Sequence, residues 1–466
     1  MAHHLHQQYA QKRISAHQAA GMVASGMTVH LSGSANLATI IDKYLSRRVK
    51  ELKNVTLHTY LDTMPYRCCE VDPQGEVFRW YSGFILGYTR ALSRERGIGV
   101  YRSSTWHNVP AFLRSEPKYD FCFLVTAPMD GSGYFNFGLT VGESMAIADS
   151  SRKIVAVVRP DMPTLCGGNQ EAIHISRIDH IVEDNEFETI CLPPVQADDR
   201  DGAIARHIMA SGLIGNGSTL QIGIGGLPNS VLDMLKDSGF RHCGFHTEML
   251  TEKMLDLIEA GVVDNSRKRL DRYRTVFTFC LGSRTLYDYA DRNPAFASYP
   301  VDYTNNPLVI ARQPNMFSLN SAAQVDLSGQ VASEQIGGTR PVQISGTGGQ
   351  LDFVMGTMLA EDGNGVSVLA LYSEHKGESK IVPLLESGAT VTVPRSMVDH
   401  VATEWGLARL RGLSNNERAR ALIAIAHPKF RNDLTRKARD AGLLPYGAGF
   451  SGKRPAGVLS QSDASH

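Results

Sequence analysis

A buried strand that runs into a turn of small residues occurs twice in this chain. The first copy begins at Thr28 and the second at Thr219. Asp42 follows the first copy and Asp233 the second, so both pairs are offset by 191 residues without a gap. A helix is expected after each turn, and strands that alternate with helices form parallel sheets covered on both faces.

A second pair of similar stretches follows in the same order. Residues 133–138 resemble residues 348–353, and each stretch precedes a short helix and an apolar strand. Two landmarks in the same order favour an internal duplication, with chance repetition of a common strand–turn–helix unit as the alternative. The sequence therefore predicts an α/β protein of two similar, open, mostly parallel-sheet domains, with the site in the cleft between them.

The pattern is interrupted at residues 192–201, where two prolines precede a charged run. Such a run is typical of a linker, so we place a boundary there. The predicted domains are residues 1–195 and 196–466.

Composition excludes several classes of function. Lys and Arg total 47 and balance 47 Asp and Glu, and no basic run is dense enough to bind nucleic acid or a membrane surface. The seven cysteines are odd in number and form no CxxC pair, which argues against a disulfide framework or a structural zinc site. No apolar run suits a signal peptide or a membrane span, so a cytoplasmic protein is expected.

A glycine-rich turn, residues 223–226, follows an apolar strand and precedes a helix that begins near Pro228. Backbone N–H groups at such a junction converge and can bind a phosphate or a developing oxyanion. A tight turn that only glycine fits is the structural alternative. A dinucleotide site is disfavoured because the spacing is not G-x-G-x-x-G.

Two further features belong with this turn. Residues 345–353 hold a second glycine turn, which lets another backbone or a ligand pass close by. Glu248 lies about 20 residues after the first turn, between the apolar residues Phe245 and Met249. A carboxylate in an apolar frame is costly to bury unless it is paired or used, whereas an exposed helical glutamate is the ordinary alternative.

These stretches belong to an ordered set of motifs spread over most of residues 120–435. The set consists of residues 221–228, 245–249, 326–331, 345–353, 379–383, 392–395, 402–406 and 425–428. Together they resemble the acetyl-CoA hydrolase/transferase family, most closely its 4-hydroxybutyrate or butyryl-CoA:acetate CoA-transferase branch, a class I CoA-transferase.

The resemblance implies that Glu248 is the nucleophile of a ping-pong reaction. CoA would move between an acyl-CoA and a short-chain carboxylic acid through a glutamyl-CoA thioester, without a metal or a tightly bound cofactor. The other implied site residues are Gln221, Gly225, Gly226 and Asn320 for the oxyanion and substrate, and Gly346, Gly348, Gly349, Gln350 and Lys380 for CoA. A homodimer or larger homo-oligomer is also expected from the resemblance.

Two alternatives, one departure from the family and the roles of two arginines remain open at this point. Water could intercept the glutamyl adduct, which would make the protein an acyl-CoA hydrolase, and a non-catalytic CoA- or nucleotide-binding protein is the alternative from another class. Residues 267–304 look long and irregular for the branch. Arg67 and Arg102 are either surface residues or, if one lies in the acyl pocket, would favour a dicarboxylate such as itaconate or succinate.

Overall fold

Two six-stranded sheets, one in each half of the chain, organise the protein. The computed structural model describes residues 2–115, 119–192, 195–445 and 455–459. The strands of the first sheet are β1 Thr28–Gly33, β2 Val55–Tyr60, β3 Phe78–Ser82, β4 Tyr119–Thr126, β5 Ser151–Val158 and β6 His180–Glu183. They lie in the order β3-β2-β1-β4-β5-β6, and every neighbouring pair is parallel.

The second sheet repeats this arrangement. Its strands are β7 Thr219–Ile222, β8 Gly244–Phe245, β9 Met316–Ser321, β10 Val366–Ala370, β11 His400–Thr403 and β12 Gly406–Arg409. They lie in the order β8-β7-β9-β10-β11-β12, and only the last pair is antiparallel. When β1 is aligned with β7, the strands β2-β1-β4-β5-β6 of the first sheet correspond in order to the five parallel strands β8-β7-β9-β10-β11 of the second, and β3 is an additional edge strand. The predicted α/β fold of two similar, mostly parallel halves is confirmed.

Helices cover these sheets and connect their strands. They are α1 Ala2–Lys12, α2 Ala16–Gly21, α3 Thr39–Ser46, α4 Arg67–Val71, α5 Gly87–Arg96, α6 Val109–Ser115, α7 Ser144–Asp149, α8 Asp199–Ala210, α9 Gly226–Lys236, α10 Glu252–Glu259, α11 Arg284–Ala290, α12 Val301–Thr304, α13 Pro307–Ile310, α14 Gln350–Met358, α15 Asn415–Ile425 and α16 Arg431–Asp440. The matched residues Asp42 and Asp233 fall on the corresponding helices α3 and α9. In the described part of the chain, no helix has the length and apolar character needed to cross a bilayer.

Short strands form small ribbons beside the two main sheets. The pairs are Tyr134–Asn136 with Ala172–His174, Met249–Leu250 with Phe279–Cys280, Thr275–Phe277 with Phe296–Ser298, Gln335–Ile336 with Val342–Gln343, and Glu374–His375 with Glu378–Ser379. A three-stranded ribbon contains Gln324–Asp326, Val331–Ala332 and Ile381–Val382.

The charged run that we interpreted as part of a linker begins a helix instead. The Asp198 side chain accepts hydrogen bonds from the backbone N–H groups of Arg200 and Asp201, and Asp201 accepts one from the Asp198 N–H. This reciprocal capping explains the run of acidic residues, because it satisfies backbone donors at the start of α8. Pro193 and Pro194 lie outside the described residues. The domain boundary at residue 195 stays a prediction.

The segment 267–304 is not irregular; it joins the two halves. The backbone N–H of Cys280 donates to the Leu139 carbonyl at 2.7 Å, and that of Val301 donates to the Gly142 carbonyl at 3.0 Å. Gly142 in turn donates its N–H to the Thr278 carbonyl at 3.1 Å. The contacts form between stretches distant in sequence, which explains why local periodicity did not reveal the segment's structure.

Candidate active site

Glu248 lies in a bend between β8 and the short strand Met249–Leu250. Its backbone carbonyl accepts hydrogen bonds from the N–H groups of Thr278 and Phe279 at 3.0 and 3.3 Å. Three residues earlier, the carbonyl of Phe245 accepts a hydrogen bond from the buried Lys268 Nζ at 2.8 Å. The backbone is therefore fixed on both sides of the carboxylate, and the alternative of an exposed helical glutamate is wrong.

The Glu248 side chain lines a cavity of about 400 Å³ between the two halves. The first half contributes apolar walls, which include Leu61, Phe84 and Leu86. The second half contributes Glu248 and both glycine turns. A mostly apolar cleft with a few converging polar groups is the usual form of a small-molecule site.

The carboxylate of Glu248 has one strong side-chain partner. Asn305 Nδ2 donates to Glu248 Oε2 at 2.7 Å. Burial raises the pKa of Glu248 to about 8, against the opposing effect of the Asn305 hydrogen bond, and the nearby negative charge of Asp352 raises the pKa further. A carboxylate held in this way is stripped of much of its hydration, which leaves it a stronger nucleophile once ionised.

Asp352 connects this carboxylate to the other half of the protein. It has no accessible surface, and its Oδ1 lies 2.6 Å from His107 Nδ1. Its Oδ2 accepts a hydrogen bond from the backbone N–H of His107 at 3.1 Å and lies 3.5 Å from Asn305 Nδ2. A chain of polar contacts therefore runs from His107 in the first half to Glu248.

The second glycine turn packs directly against Glu248. Its glycines are needed because the surrounding atoms leave no room for a Cβ atom. A Cβ atom on Gly349 would lie 1.9 Å from Glu248 Oε2 and 2.3 Å from Asn305 Nδ2. A Cβ on Gly346 would lie 2.8 Å from the Phe84 ring, and Gly348 has a φ of +52° and faces the same ring. No side chain other than hydrogen fits between the carboxylate and the first half of the protein at these positions.

Three predicted polar residues also line the cleft. Asn320 Nδ2 donates to Gln221 Oε1 at 3.0 Å, and Gln221 Nε2 donates back to Asn320 Oδ1 at 3.3 Å. Gln350 Nε2 donates to the Ser321 carbonyl at 2.7 Å, while its buried Oε1 has no hydrogen-bond partner among the described residues. The pairing fixes the orientation of both amides on neighbouring strands β7 and β9.

Three other predicted residues are not among those that line the cleft. A Cβ on Gly226 would lie 2.1 Å from Asp201 Oδ2, so this glycine permits close packing against α8. Gly225, with a φ of +121°, lies at the start of α9, while Gly223 and Ile224 reach the cleft. The backbone of Lys380 pairs with Ser373 and Val325 away from the lining residues. The roles given to Gly225, Gly226 and Lys380 stay predictions.

Sequence reasoning missed Asn305 and His107 as neighbours of the site. Asn305 follows α12 without a recognisable motif, and its position depends on the contacts of the joining segment. The two arginines whose roles the sequence left open have different surroundings in the structure. Arg67 is exposed, with its guanidinium 5.8 Å from the Phe187 ring centroid, whereas Arg102 lines a second cavity beside Glu248.

The chain matches two models of one protein family. The model of the acetyl-CoA hydrolase/transferase N-terminal domain matches residues 2–193, and that of the C-terminal domain matches residues 282–438. The chain therefore belongs to the acetyl-CoA hydrolase/transferase family.

Particular relatives agree with this assignment. The chain is 37% identical to a probable butyrate:acetyl-CoA coenzyme A-transferase of Syntrophomonas wolfei over 94% of this chain and 97% of the relative. It is 39% identical to the 4-hydroxybutyrate coenzyme A transferase of Clostridium kluyveri over 77% of this chain and 81% of the relative. The crystal structure of RipA from Yersinia pestis superposes with a TM-score of 0.84 at 34% identity, over 94% of this chain and all of RipA.

Proposed function

We propose that this protein is a CoA-transferase that moves CoA between an acyl-CoA and a short-chain carboxylic acid, with Glu248 as the covalent nucleophile. The observation that carries the proposal is the position of Glu248, half-buried at an apolar cleft and hydrogen-bonded by Asn305. The relatives named as butyrate and 4-hydroxybutyrate transferases support the substrate class.

The first half-reaction consists of two acyl exchanges. The Glu248 carboxylate attacks the thioester carbonyl, the C–S bond breaks, and CoA leaves as the thiolate while a mixed anhydride forms. The thiolate then attacks the glutamyl carbonyl of the anhydride, and the original acyl group leaves as its carboxylate. Glu248 now carries CoA as a thioester, and no oxidant, reductant or energy source is consumed.

The second half-reaction reverses these steps with another acid. The acceptor carboxylate attacks the glutamyl thioester and displaces the CoA thiolate. The thiolate then attacks the acceptor carbonyl of the new anhydride, which releases the acceptor CoA ester and restores the Glu248 carboxylate. Each step passes through a tetrahedral oxyanion, which fixed N–H donors stabilise.

The remaining assignments belong to the same proposal. The amides of Gln221 and Asn320 line the cleft, so we assign oxyanion and substrate contacts to them in preference to Gly225 and Gly226. The turn that contains Gly346, Gly348 and Gly349, with Gln350, would accommodate the pantetheine arm of CoA, and Lys380 remains a candidate for its phosphates. We further propose that the protein acts in the cytoplasm as a homo-oligomer, which light scattering of the purified protein would test.

The proposal is tested with purified protein, acetyl-CoA and butyrate. Chromatography of the CoA esters is expected to show butyryl-CoA formation that depends on butyrate, with little free CoA. Free CoA released at the same rate without butyrate would identify a hydrolase. Binding of acetyl-CoA without any turnover would identify a non-catalytic binding protein.

Activity is expected to rise with pH through about pH 8. Glu248 attacks only when ionised, and its pKa is raised to about 8 by burial and by the charge of Asp352. At lower pH, each pH unit reduces the ionised fraction, and with it kcat/KM for the acyl-CoA, about tenfold. Asp352→Asn removes one negative charge, so its profile is expected to shift to lower pH.

The pH dependence of kcat/KM for acetyl-CoA measures both effects. Asp237→Asn, at an exposed position just after α9, is the matched control and should leave the profile unmoved. A profile of Asp352→Asn that coincides with that of the wild type, or moves to higher pH, would contradict this electrostatic coupling.

A further inference from the structure

A second cavity, of about 480 Å³, lies beside Glu248 and contains Arg102; we call it the Arg102 cavity. Its wall comes from the first half of the protein, except for Gly348. Gly348 also lines the cleft that contains Glu248, so the two cavities share a wall at the reacting carboxylate. The Arg102 cavity is not part of any motif in the sequence.

One end of the Arg102 cavity lies next to Glu248. A Cβ on Gly348 would be 3.9 Å from Glu248 Oε1. Tyr60 lines the same end, its ring 4.7 Å from that of Trp106. Burial and then the negative charge of Glu248 raise the pKa of Tyr60 well above its usual value, which places Tyr60 within electrostatic range of the carboxylate.

The other end holds the guanidinium of Arg102. Its Nη1 lies 2.6 Å from His58 Nδ1, and its Cζ lies 5.7 Å from the centroid of the Phe112 ring. Among the described residues, no carboxylate lies within 4.0 Å of this guanidinium. An arginine that is half-buried without an acidic partner is suited to bind an anionic group from a ligand, by paired hydrogen bonds.

The neighbouring titratable groups compensate this positive charge only in part. Burial, together with the charge of Arg102, lowers the pKa of His58 to about 3 and that of His30 well below its usual value, so both rings are neutral near pH 7. Glu143 also lines the cavity, but its Oε2 accepts a hydrogen bond from Trp106 Nε1 at 2.9 Å. Burial raises the pKa of Glu143 to about 7, so a large fraction of this carboxyl group is protonated at pH 7.

Two residues of one strand indicate the spacing of the two ends. His58 contacts Arg102 and Tyr60 lies near Glu248, and both residues belong to β2. Because they are two positions apart, their side chains lie on the same face of the sheet and about 7 Å from each other. An extended dicarboxylic acid of about four to six carbons, measured between its terminal carboxylate oxygens, covers this spacing.

We propose that the Arg102 cavity binds the acid substrate, and that Arg102 recognises a second anionic group at the far end of a short dicarboxylic acid. This inference rests on the proposed CoA transfer at Glu248 and specifies its acid. The acceptor acid enters when Glu248 is a neutral thioester. One carboxylate therefore meets no charge at Glu248, while the other is paired by Arg102.

The test compares succinate with butyrate, two acids of equal carbon number, with acetyl-CoA as the CoA donor. The wild type is expected to have the higher kcat/KM for succinate. Arg102→Gln can keep a hydrogen bond to His58 but lacks the charge, so the ratio of kcat/KM for succinate over butyrate should fall about 10- to 150-fold. Arg102→Lys keeps the charge without the planar fork and should give an intermediate ratio.

Arg67→Gln is the control, since the same change is made at an exposed arginine away from both cavities. A wild type that does not prefer succinate, or an unchanged ratio in Arg102→Gln, would overturn the inference. Transfer to butyrate without any succinate preference would leave the proposed function standing, whereas transfer to neither acid would overturn both. If Arg102→Gln does not fold, the wild-type ratio and that of Arg102→Lys decide the question.

Discussion

Replacing Glu248 by glutamine is expected to lower CoA transfer at least about 1,000-fold, because the amide has the shape of the carboxylate but cannot form the anhydride. The Asn305 hydrogen bond can still form to the amide oxygen, so the cleft should keep its geometry. The loss is expected in kcat, with acyl-CoA binding largely retained. Steady-state kinetics with acetyl-CoA and butyrate, together with a binding measurement for acetyl-CoA, separate these effects.

A chemical trap strengthens this test. Incubation of the wild type with acetyl-CoA alone should accumulate the glutamyl-CoA thioester, and borohydride should then reduce it and inactivate the protein. Peptide mass spectrometry should find the resulting alcohol at position 248. Glu248→Gln should be insensitive to this treatment, whereas Glu259→Gln, at an exposed glutamate that ends α10, should behave as the wild type. A Glu248→Gln variant that retains more than about a tenth of wild-type activity would refute the nucleophile assignment.

The fold of two similar, mostly parallel-sheet halves was accessible from the sequence because each half repeats the same strand–turn–helix unit. Thr28 and Thr219 begin equivalent strands, and both strands are buried along almost their whole length, as expected for a parallel sheet covered on both faces. Glu248 and the second glycine turn were also accessible, because both are short local motifs. The contact between Glu248 and the second glycine turn could not be predicted, since about 100 residues separate them and only the folded chain brings Gly349 against the carboxylate.

The polar partners of Glu248 could not be predicted from local sequence motifs. Asn305 reaches the carboxylate because the segment 267–304 is anchored on the first half by backbone hydrogen bonds. His107 and Asp352 meet across the two halves. Conversely, the charged run at Asp198 was misread because a capping box and a solvated linker share the same residue types. The local sequence shows which side chains are polar, whereas the hydrogen-bond partners of those side chains depend on tertiary contacts.

The closeness of Gly349 to Glu248 leads to a second large effect. Gly349→Ala is expected to lower kcat/KM for acetyl-CoA by about 100-fold or more, because displacement of a reacting group by about 1 Å has that consequence. Gly349 has a φ of −93°, so alanine fits the backbone conformation. The added Cβ, however, would lie 1.9 Å from Glu248 Oε2 and 2.3 Å from Asn305 Nδ2, so the hydrogen-bonded pair must move.

A purely structural effect of this substitution is distinguishable from displacement of the carboxylate. Overpacking of this kind destabilises a protein by about 1–3 kcal/mol, which thermal unfolding measures directly and which leaves the fold populated at 25 °C. Gly21→Ala, where a Cβ would meet no atom within 4 Å, is the matched control and should keep full activity. Because the same clash separates Glu248 from Asn305, the pKa of Glu248 should rise in Gly349→Ala and the pH profile should move to higher pH. Activity within about fivefold of the wild type would mean that the Glu248 carboxylate need not occupy the position seen here to react.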